Sequence, residues 1–302
     1  MALKIEGLWP PIVTPFRPDQ ELDLEALEAN LARWNTTGLA GYLAAGSNGE
    51  AVFLSPKERE AVLAAVVEHA APDKLVMAGT GRESTRATIA ATRRAAELGA
   101  HCALVVTPCY FKSQMTPARL EAHFQAVAEA SPIPVLIYNF PQATGVNLGP
   151  ESVARLSEHP NIAGIKDSSG NIAQLSQIVH LAREDFAVMV GNAEVLHPAL
   201  ACGARGAILA VSNVIPERCL ELMRAFAAGE MERARRLQWA IARLAAMVTR
   251  IHGVGGLKAA MALLGYRPGV VRPPLTMPGP EVVQELAAEL AALGYQPSRQ
   301  GR

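Results

Sequence analysis

Short apolar runs alternate with longer segments of helical periodicity along most of this chain. Each run has the length of a buried strand and stops at glycine, proline or small polar residues, which mark turns. On this pattern we predict eight strands, at residues 7–14, 41–45, 75–79, 103–107, 135–139, 162–166, 187–190 and 206–211.

Capping residues and one-sided apolar faces indicate helices between these strands. Asp23 precedes a segment whose leucines fall on one helical face. Ser55 and Glu58 have the spacing of a capping box, with Pro56 at the first helical position. Thr116, followed by a proline, opens another helix. Strand and helix signals therefore alternate regularly.

Eight strand–helix units predict a (β/α)8 TIM barrel, an α/β fold of roughly 250 residues. The alternative is a doubly wound sheet, but residues 14–17 lack the glycine fingerprint expected after its first strand. From Pro216 onward only helices are predicted, at residues 216–228, 231–250, 255–264 and 281–293. We expect a barrel catalytic domain at residues 1–215, with its last helix continuing to about 229, and a C-terminal helical extension at residues 230–302 with a frayed tail at 296–302.

Composition excludes several classes of function. The 302 residues carry 28 basic and 28 acidic side chains, a balance that favours neither nucleic acid nor an anionic membrane as a partner. The apolar runs are too short to span a bilayer. The N-terminus has no signal-peptide pattern, so we expect a cytoplasmic protein.

The cysteines and histidines give no metal-binding pattern. The four cysteines have no C-x-x-C or Cys/His spacing, and the seven histidines are scattered. We therefore expect free thiols, no metal site and no metal cofactor.

Lys166 is the strongest candidate for chemistry. It ends an apolar run and is followed by a turn of small polar residues, so we expect a buried strand to hold it at the edge of a loop. Loss of water favours the neutral amine, which attacks carbonyl groups. A structural lysine is the alternative. The other five lysines have ordinary contexts: Lys4 at the N-terminus, Lys57 in a helical first turn, Lys74 before a strand, Lys112 on a loop and Lys258 on a polar helix face.

In a barrel of this kind, functional residues lie at the carboxyl ends of the strands. Ser47 and Asn48 follow the second strand in a glycine-flanked turn, Tyr110 follows the fourth, and Tyr138 ends the apolar run of the fifth. Taken singly, the turn could be a plain loop and each tyrosine a packed aromatic. Together with Lys166 they would provide a nucleophilic amine, a proton carrier and a carboxylate site, the parts that a Schiff-base enzyme needs.

At these motifs the chain resembles the dihydrodipicolinate synthase / N-acetylneuraminate lyase superfamily of pyruvate-dependent class I aldolases. The resemblance extends from Gly7 to about Gly265 and is carried by residues 11–16, 46–50, 106–110, 138–145 and 164–168. It implies a TIM barrel, a covalent imine with pyruvate, no other cofactor, and small 2-oxo acid and aldehyde substrates. It also implies a homotetramer built as a dimer of dimers.

The resemblance also implies residue roles. Lys166 would form the Schiff base and Tyr138 would shuttle protons. Ser47 would link Tyr138 to Tyr110, which relatives insert from a neighbouring subunit. The backbone N–H groups of Ser47 and Asn48 would hold the pyruvate carboxylate. We further expect substrate contacts from Ser168, Gly191 and Ile208.

Two departures suggest a subgroup. Dihydrodipicolinate synthases usually have threonine at Asn48 and an arginine, which holds the aldehyde's carboxylate, at Ala143. Several motifs instead look closest to 4-hydroxy-2-oxoglutarate aldolases, in which Asn48 and Ser168 would help hold the half that is not pyruvate. We therefore expect cleavage of a 4-hydroxy-2-oxo acid such as 4-hydroxy-2-oxoglutarate to pyruvate and glyoxylate. The alternatives are 4-hydroxy-tetrahydrodipicolinate synthase, a 2-keto-3-deoxy sugar acid aldolase and a non-catalytic pyruvate-binding barrel.

Overall fold

The computed structural model describes residues 3–297 and contains one parallel sheet of eight strands. Each strand pairs with its neighbours in the order β1-β8-β7-β6-β5-β4-β3-β2. The strands are β1 (Gly7–Trp9), β2 (Gly41–Ala44), β3 (Leu75–Gly79), β4 (Cys102–Val106), β5 (Val135–Asn139), β6 (Ile162–Asp167), β7 (Ala187–Val190) and β8 (Gly206–Ile208).

Hydrogen bonds between the first two strands close the sheet into a barrel. The Ala40 N–H donates to the Leu8 carbonyl at 2.9 Å, and the Ile12 N–H donates to the Leu43 carbonyl at 3.0 Å. The predicted (β/α)8 barrel is confirmed, and the doubly wound alternative is wrong. Regular strand geometry ends at Trp9, earlier than predicted, because the two prolines that follow have no N–H to donate.

Helices follow the strands around the barrel. The predicted capping box at Ser55 is confirmed, with the Glu58 N–H donating to Ser55 Oγ at 3.3 Å and the Ser55 N–H donating to the Glu58 carboxylate at 2.7 Å. The helices are α1 (Leu24–Asn35), α2 (Pro56–His69), α3 (Thr85–Glu97), α4 (Pro117–Ala130), α5 (Pro141–Thr144), α6 (Pro150–Ser157), α7 (Ile172–Leu181), α8 (Leu196–Ala201) and α9 (Pro216–Ala227).

Three further helices follow the barrel: α10 (Met231–Ala246), α11 (Gly253–Leu263) and α12 (Pro280–Ala292). The predicted helix at residues 231–250 is divided, because its last part, Met247–Ile251, is a π-helical turn. The other three helices predicted after Pro216 have ends that are correct to within about two residues. Of the tail predicted to fray, residues 298–302 lie outside the described residues.

Alternation along the strands produces two apolar layers. One set of side chains, including Trp9, Met77, Leu136 and Met189, fills the inside of the barrel. The opposite set packs against the surrounding helices and forms the larger core. Tyr138 belongs to the inner set. Its side chain is therefore directed into the barrel, where the candidate residues of neighbouring strands can reach it.

The prediction for Lys258 is wrong. This residue lies on α11, but its side chain has no exposed surface and forms an ion pair with Glu50 at 2.7 Å. The Lys258 ammonium also donates to the carbonyls of Thr14 at 2.8 Å and Val270 at 2.5 Å. Three oxygens thus replace its hydration shell, which is how the core accommodates a charge.

Residues 3–297 contain neither a membrane-spanning helix nor a group of metal ligands. No helix there is long and apolar enough to cross a membrane. In the same residues, no three His, Cys, Asp or Glu side chains are grouped as metal ligands. All four cysteines are free thiols, as predicted, and Cys102 and Cys219 are buried.

Candidate active site

Lys166 and Tyr138 are neighbours at the carboxyl end of the barrel. They are paired in register on β6 and β5, and Lys166 Nζ lies 4.2 Å from the centre of the Tyr138 ring. Only 3% of Lys166 and 5% of Tyr138 is exposed. The amine is therefore held against the phenol in a site that largely excludes water.

Burial shifts the pKa of both groups. It lowers the pKa of Lys166 from 10.5 to about 7, so a large fraction of the amine is neutral and nucleophilic near neutral pH. It raises the pKa of Tyr138 to about 12, against the opposing influence of the nearby Ser168 and Ser47 hydroxyls. With a pKa of about 12, the Tyr138 phenol is protonated at neutral pH. Ser168 Oγ lowers this pKa, but it forms no hydrogen bond of normal geometry with the described residues.

A polar network fixes the ends of β5 and β6. The buried Asp167 carboxylate accepts hydrogen bonds from the Asn139 amide at 2.8 Å and from the Ser169 hydroxyl at 2.6 Å. Asn139 also accepts the Leu148 N–H at 3.0 Å. These contacts occur on the strand residues next to Lys166 and Tyr138, so they hold both side chains in position.

The turn after β2 is a short 3-10 helix, Ser47–Gly49. Its hydrogen bonds begin at the Gly49 and Glu50 N–H groups, which donate to the carbonyls of Gly46 and Ser47 at 3.0 Å, so the turn itself does not use the Ser47 and Asn48 N–H groups. The Thr14 hydroxyl donates to the Gly49 carbonyl at 2.7 Å and ties the turn to the segment that follows β1. Such a turn can present N–H groups to an anion.

Gly191 follows β7 at a point where no side chain fits. A Cβ atom there would lie 1.9 Å from Ser168 Oγ and 3.0 Å from Lys166 Cε. Its N–H donates to the Asp167 carbonyl at 2.7 Å, which fixes the close approach. The glycine therefore leaves the space in which the lysine and the serine lie.

Most of the predicted site residues converge on one cavity of about 370 Å³. Its size suits a small organic substrate. The predicted residues that line it are Ser47, Asn48, Tyr138, Lys166, Ser168, Gly191 and Ile208.

Tyr110 lies outside this cavity. It is 77% exposed and stacks edge-on against the exposed Phe111, with 5.0 Å between ring centres. The Glu83 carboxylate holds the loop by accepting the N–H groups of Cys109 at 2.9 Å and Tyr110 at 2.8 Å. Within one chain, therefore, Tyr110 does not reach Lys166.

Sequence reasoning missed one wall of the cavity. The π-helical turn and the start of α11 contribute Thr249, Arg250, Gly253 and Val254, and the turn after β7 contributes Glu194. No spacing or composition signal in the C-terminal helices indicates that they reach the strand ends. Arg250 and Glu194 could therefore be recognised as cavity residues only from the fold.

Comparison with known proteins identifies the family. Residues 4–293 match the profile of the Dihydrodipicolinate synthetase family. The chain belongs to this family. As a member of the Dihydrodipicolinate synthetase family it is a class I carbon–carbon lyase, an enzyme that acts through a lysine Schiff base and uses no additional cofactor.

Individual similar proteins carry names from the same family. The chain is 40% identical over 271 residues to a 4-hydroxy-tetrahydrodipicolinate synthase of Methanothrix thermoacetophila, covering 89% of this chain and 90% of the relative. A crystal structure of dihydrodipicolinate synthase from Bacillus anthracis superposes with a TM-score of 0.92 at 30% identity, covering 96% of this chain and 99% of that one. A prophage protein of the same family from Escherichia coli K12, in complex with pyruvate, superposes with a TM-score of 0.89 at 30% identity, covering 96% and 98%.

Proposed function

We propose that this enzyme is a pyruvate-dependent aldolase in which Lys166 carries the substrate as an imine. The neutral Lys166 amine attacks the C2 carbonyl of a 2-oxo acid, and the carbinolamine loses water to form the iminium. The observation that carries this proposal is the buried Lys166 amine beside Tyr138, with its pKa lowered to about 7. The iminium then accepts the electron pair of a breaking bond without help from a metal.

Tyr138 is the proposed proton carrier. In the cleavage direction it accepts the C4 hydroxyl proton as the C3–C4 bond breaks, which releases an aldehyde and leaves an enamine on Lys166. Because the pKa of its phenol is about 12, Tyr138 gives its own proton to the neighbouring Ser47 hydroxyl as it accepts the substrate's proton. Ser47 in turn releases its hydroxyl proton to the next carrier, which in the proposed assembly is the partner subunit's Tyr110. The return of a proton to C3 and addition of water then release pyruvate.

The substrate's two ends are proposed to bind different groups of the cavity. The N–H groups of Ser47 and Asn48 would hold the pyruvate carboxylate, since their turn lines the cavity next to Tyr138. Ser168 and the Asn48 side chain would contact the other half. Gly191 and Ile208 would shape the space around the imine.

The identity of the aldehyde distinguishes two candidates. Ala143 lines the cavity and cannot provide the guanidinium that synthases use at this position, which supports cleavage of 4-hydroxy-2-oxoglutarate to pyruvate and glyoxylate. The names of curated relatives at 40% identity support the second candidate, 4-hydroxy-tetrahydrodipicolinate synthase, which condenses pyruvate with aspartate semialdehyde. Both candidates share the imine chemistry.

A dimer of dimers is the proposed assembly. Tyr110 is exposed, carries an exposed aromatic neighbour and lies outside its own cavity. Insertion of Tyr110 into a neighbour's site across a two-fold axis would complete the proton path from Tyr138 through Ser47.

Steady-state condensation of pyruvate with glyoxylate, aspartate semialdehyde or glyceraldehyde tests the specificity. We expect the highest kcat/KM with glyoxylate. A clear preference for aspartate semialdehyde would make the enzyme a 4-hydroxy-tetrahydrodipicolinate synthase, and a preference for glyceraldehyde would make it a sugar acid aldolase. No condensation with any aldehyde, together with binding of pyruvate, would leave only the non-catalytic barrel.

A further inference from the structure

The C-terminal helices bring a charged side chain to the cavity. Between α10 and α11 the chain forms the π-helical turn Met247–Ile251, in which the His252 N–H donates to the Met247 carbonyl at 3.0 Å. Turns of this type occur frequently at functional sites, because the extra residue redirects side chains. Here Thr249 and Arg250 line the same cavity as Lys166.

Arg250 is held at the cavity by a two-point ion pair. Its Nε and Nη2 donate to the two carboxylate oxygens of Glu194, each at 3.2 Å. Glu194 lies in the turn after β7 and also lines the cavity. The side chains of Arg250 and Glu194 are 67% and 29% exposed, and pairs with this degree of exposure contribute little net stability. A substrate carboxylate can therefore compete for the guanidinium.

The cavity offers few other cations. Among the described residues that line it, the charged ones are Lys166, Glu194 and Arg250. Lys166 is buried and is consumed by imine formation under the proposed function. The substrate could carry a second anionic group besides the carboxylate of its pyruvate half. Among the described residues that line the cavity, Arg250 has the one guanidinium that could bind this group.

We propose that Arg250 binds the carboxylate of the aldehyde half and determines the enzyme's preference for carboxylate-bearing aldehydes. It does so from the wall formed by the π-helical turn, since the segment of Ala143 has no guanidinium. Glu194 holds Arg250 in position when the site is empty and exchanges with the substrate carboxylate. This inference rests on the proposed aldolase function and adds the substrate class to it.

The test compares two aldehydes of similar size, glyoxylate with a carboxylate and glycolaldehyde with a neutral hydroxymethyl group. In Arg250→Gln the KM for glyoxylate should rise about 10- to 100-fold, because a hydrogen bond between two charged groups is lost. The KM for pyruvate and the kinetics with glycolaldehyde should stay within about twofold of the original enzyme. The KM of Arg250→Lys for glyoxylate should lie between those of the original enzyme and Arg250→Gln, since lysine keeps the charge but not the two-point geometry. If the enzyme uses aspartate semialdehyde rather than glyoxylate, the same comparison is made with that substrate.

Two further variants sharpen the result. Glu194→Gln should lower the KM for glyoxylate, because Arg250 loses its competing partner. Arg243→Gln is the matched control, since Arg243 lies on α10, pairs with Glu289 and does not line the cavity; it should change neither aldehyde's kinetics. If Arg250→Gln lost activity equally with both aldehydes, Arg250 would have a structural role and the inference would be overturned. Unchanged kinetics with both aldehydes would also overturn it.

Borohydride trapping of pyruvate separates this inference from the proposed function. Trapping that persists in every variant, without the aldehyde discrimination, overturns the inference alone. Failure to trap pyruvate in the original enzyme overturns the proposed function and the inference with it.

Discussion

Replacing Lys258 with methionine should destabilise the protein severely, because it removes one partner of a buried ion pair. Neither Lys258 nor Glu50 has exposed side-chain surface, and Lys258 Nζ lies 2.7 Å from Glu50 Oε1. Methionine has a similar length but no charge and no donor. The Glu50 carboxylate would keep a single hydrogen bond, from the Arg272 N–H at 2.9 Å.

The size of the effect follows from this geometry. Breaking a buried pair by removing one partner costs about 3–5 kcal/mol. With an unfolding entropy of about 2.1 cal/mol/K per residue, this lowers the unfolding midpoint of a 302-residue protein by about 5–8 °C. The double variant Glu50→Gln/Lys258→Met should lose less than Lys258→Met, since it leaves no uncompensated charge. Thermal unfolding followed by circular dichroism measures both. Because Glu50 directly follows the Ser47–Gly49 turn, Lys258→Met should also raise the KM for pyruvate.

Lys57→Met is the control, since Lys57 is exposed in the first turn of α2 and forms none of the ion pairs of the described residues. Its midpoint should stay within about 2 °C of the original protein, as for an ordinary surface substitution. A similarly small change in Lys258→Met, or a double variant less stable than Lys258→Met, would refute the reasoning that the pair is buried and mutually compensating.

Three further predictions concern the chemistry. Tyr138→Phe should keep the fold but lose about 10²- to 10⁴-fold in kcat, the usual contribution of a positioned proton carrier; a loss below about fivefold would make Tyr138 a packed aromatic. The rate of imine formation with pyruvate should rise with pH and level off above about 7, because Lys166 reacts as the free amine and burial lowers its pKa to about 7; a midpoint near 10.5, its ordinary pKa, would contradict a buried nucleophile. Mixing Tyr110→Phe with Lys166→Ala subunits should restore part of the activity, because one site in each mixed dimer receives both intact residues; no restoration would mean that the site lies within one subunit.

Local sequence was sufficient to predict the barrel where strand and turn signals agree. The strands Leu75–Gly79, Val135–Asn139 and Ala187–Val190 coincide with the predicted ones, because each apolar run is bounded by residues that cannot continue it. The eighth strand was predicted to reach Val211 but ends at Ile208. The apolar residues that follow are buried in the 3-10 turn Ala210–Asn213, and burial alone does not distinguish a turn from a strand.

Long-range partners explain what the sequence could not predict. Lys258 was expected in solvent because its helix neighbours give no sign of Glu50, which lies far away in the chain and packs beside it only in the fold. Arg250 lines the cavity from a π-helical turn, and that turn has no sequence signature. Lys166 and Tyr138, in contrast, are the next-to-last residues of adjacent strands, and barrel topology alone brings strand ends together.

Borohydride reduction in the presence of pyruvate, followed by proteolysis and mass spectrometry, tests the central claim most directly. We predict a reduced pyruvate adduct on Lys166 and on no other lysine, and none on a Lys166→Ala variant whose circular dichroism spectrum shows that it is folded. An adduct on another lysine, or on the Lys166→Ala variant, would contradict the proposed imine mechanism.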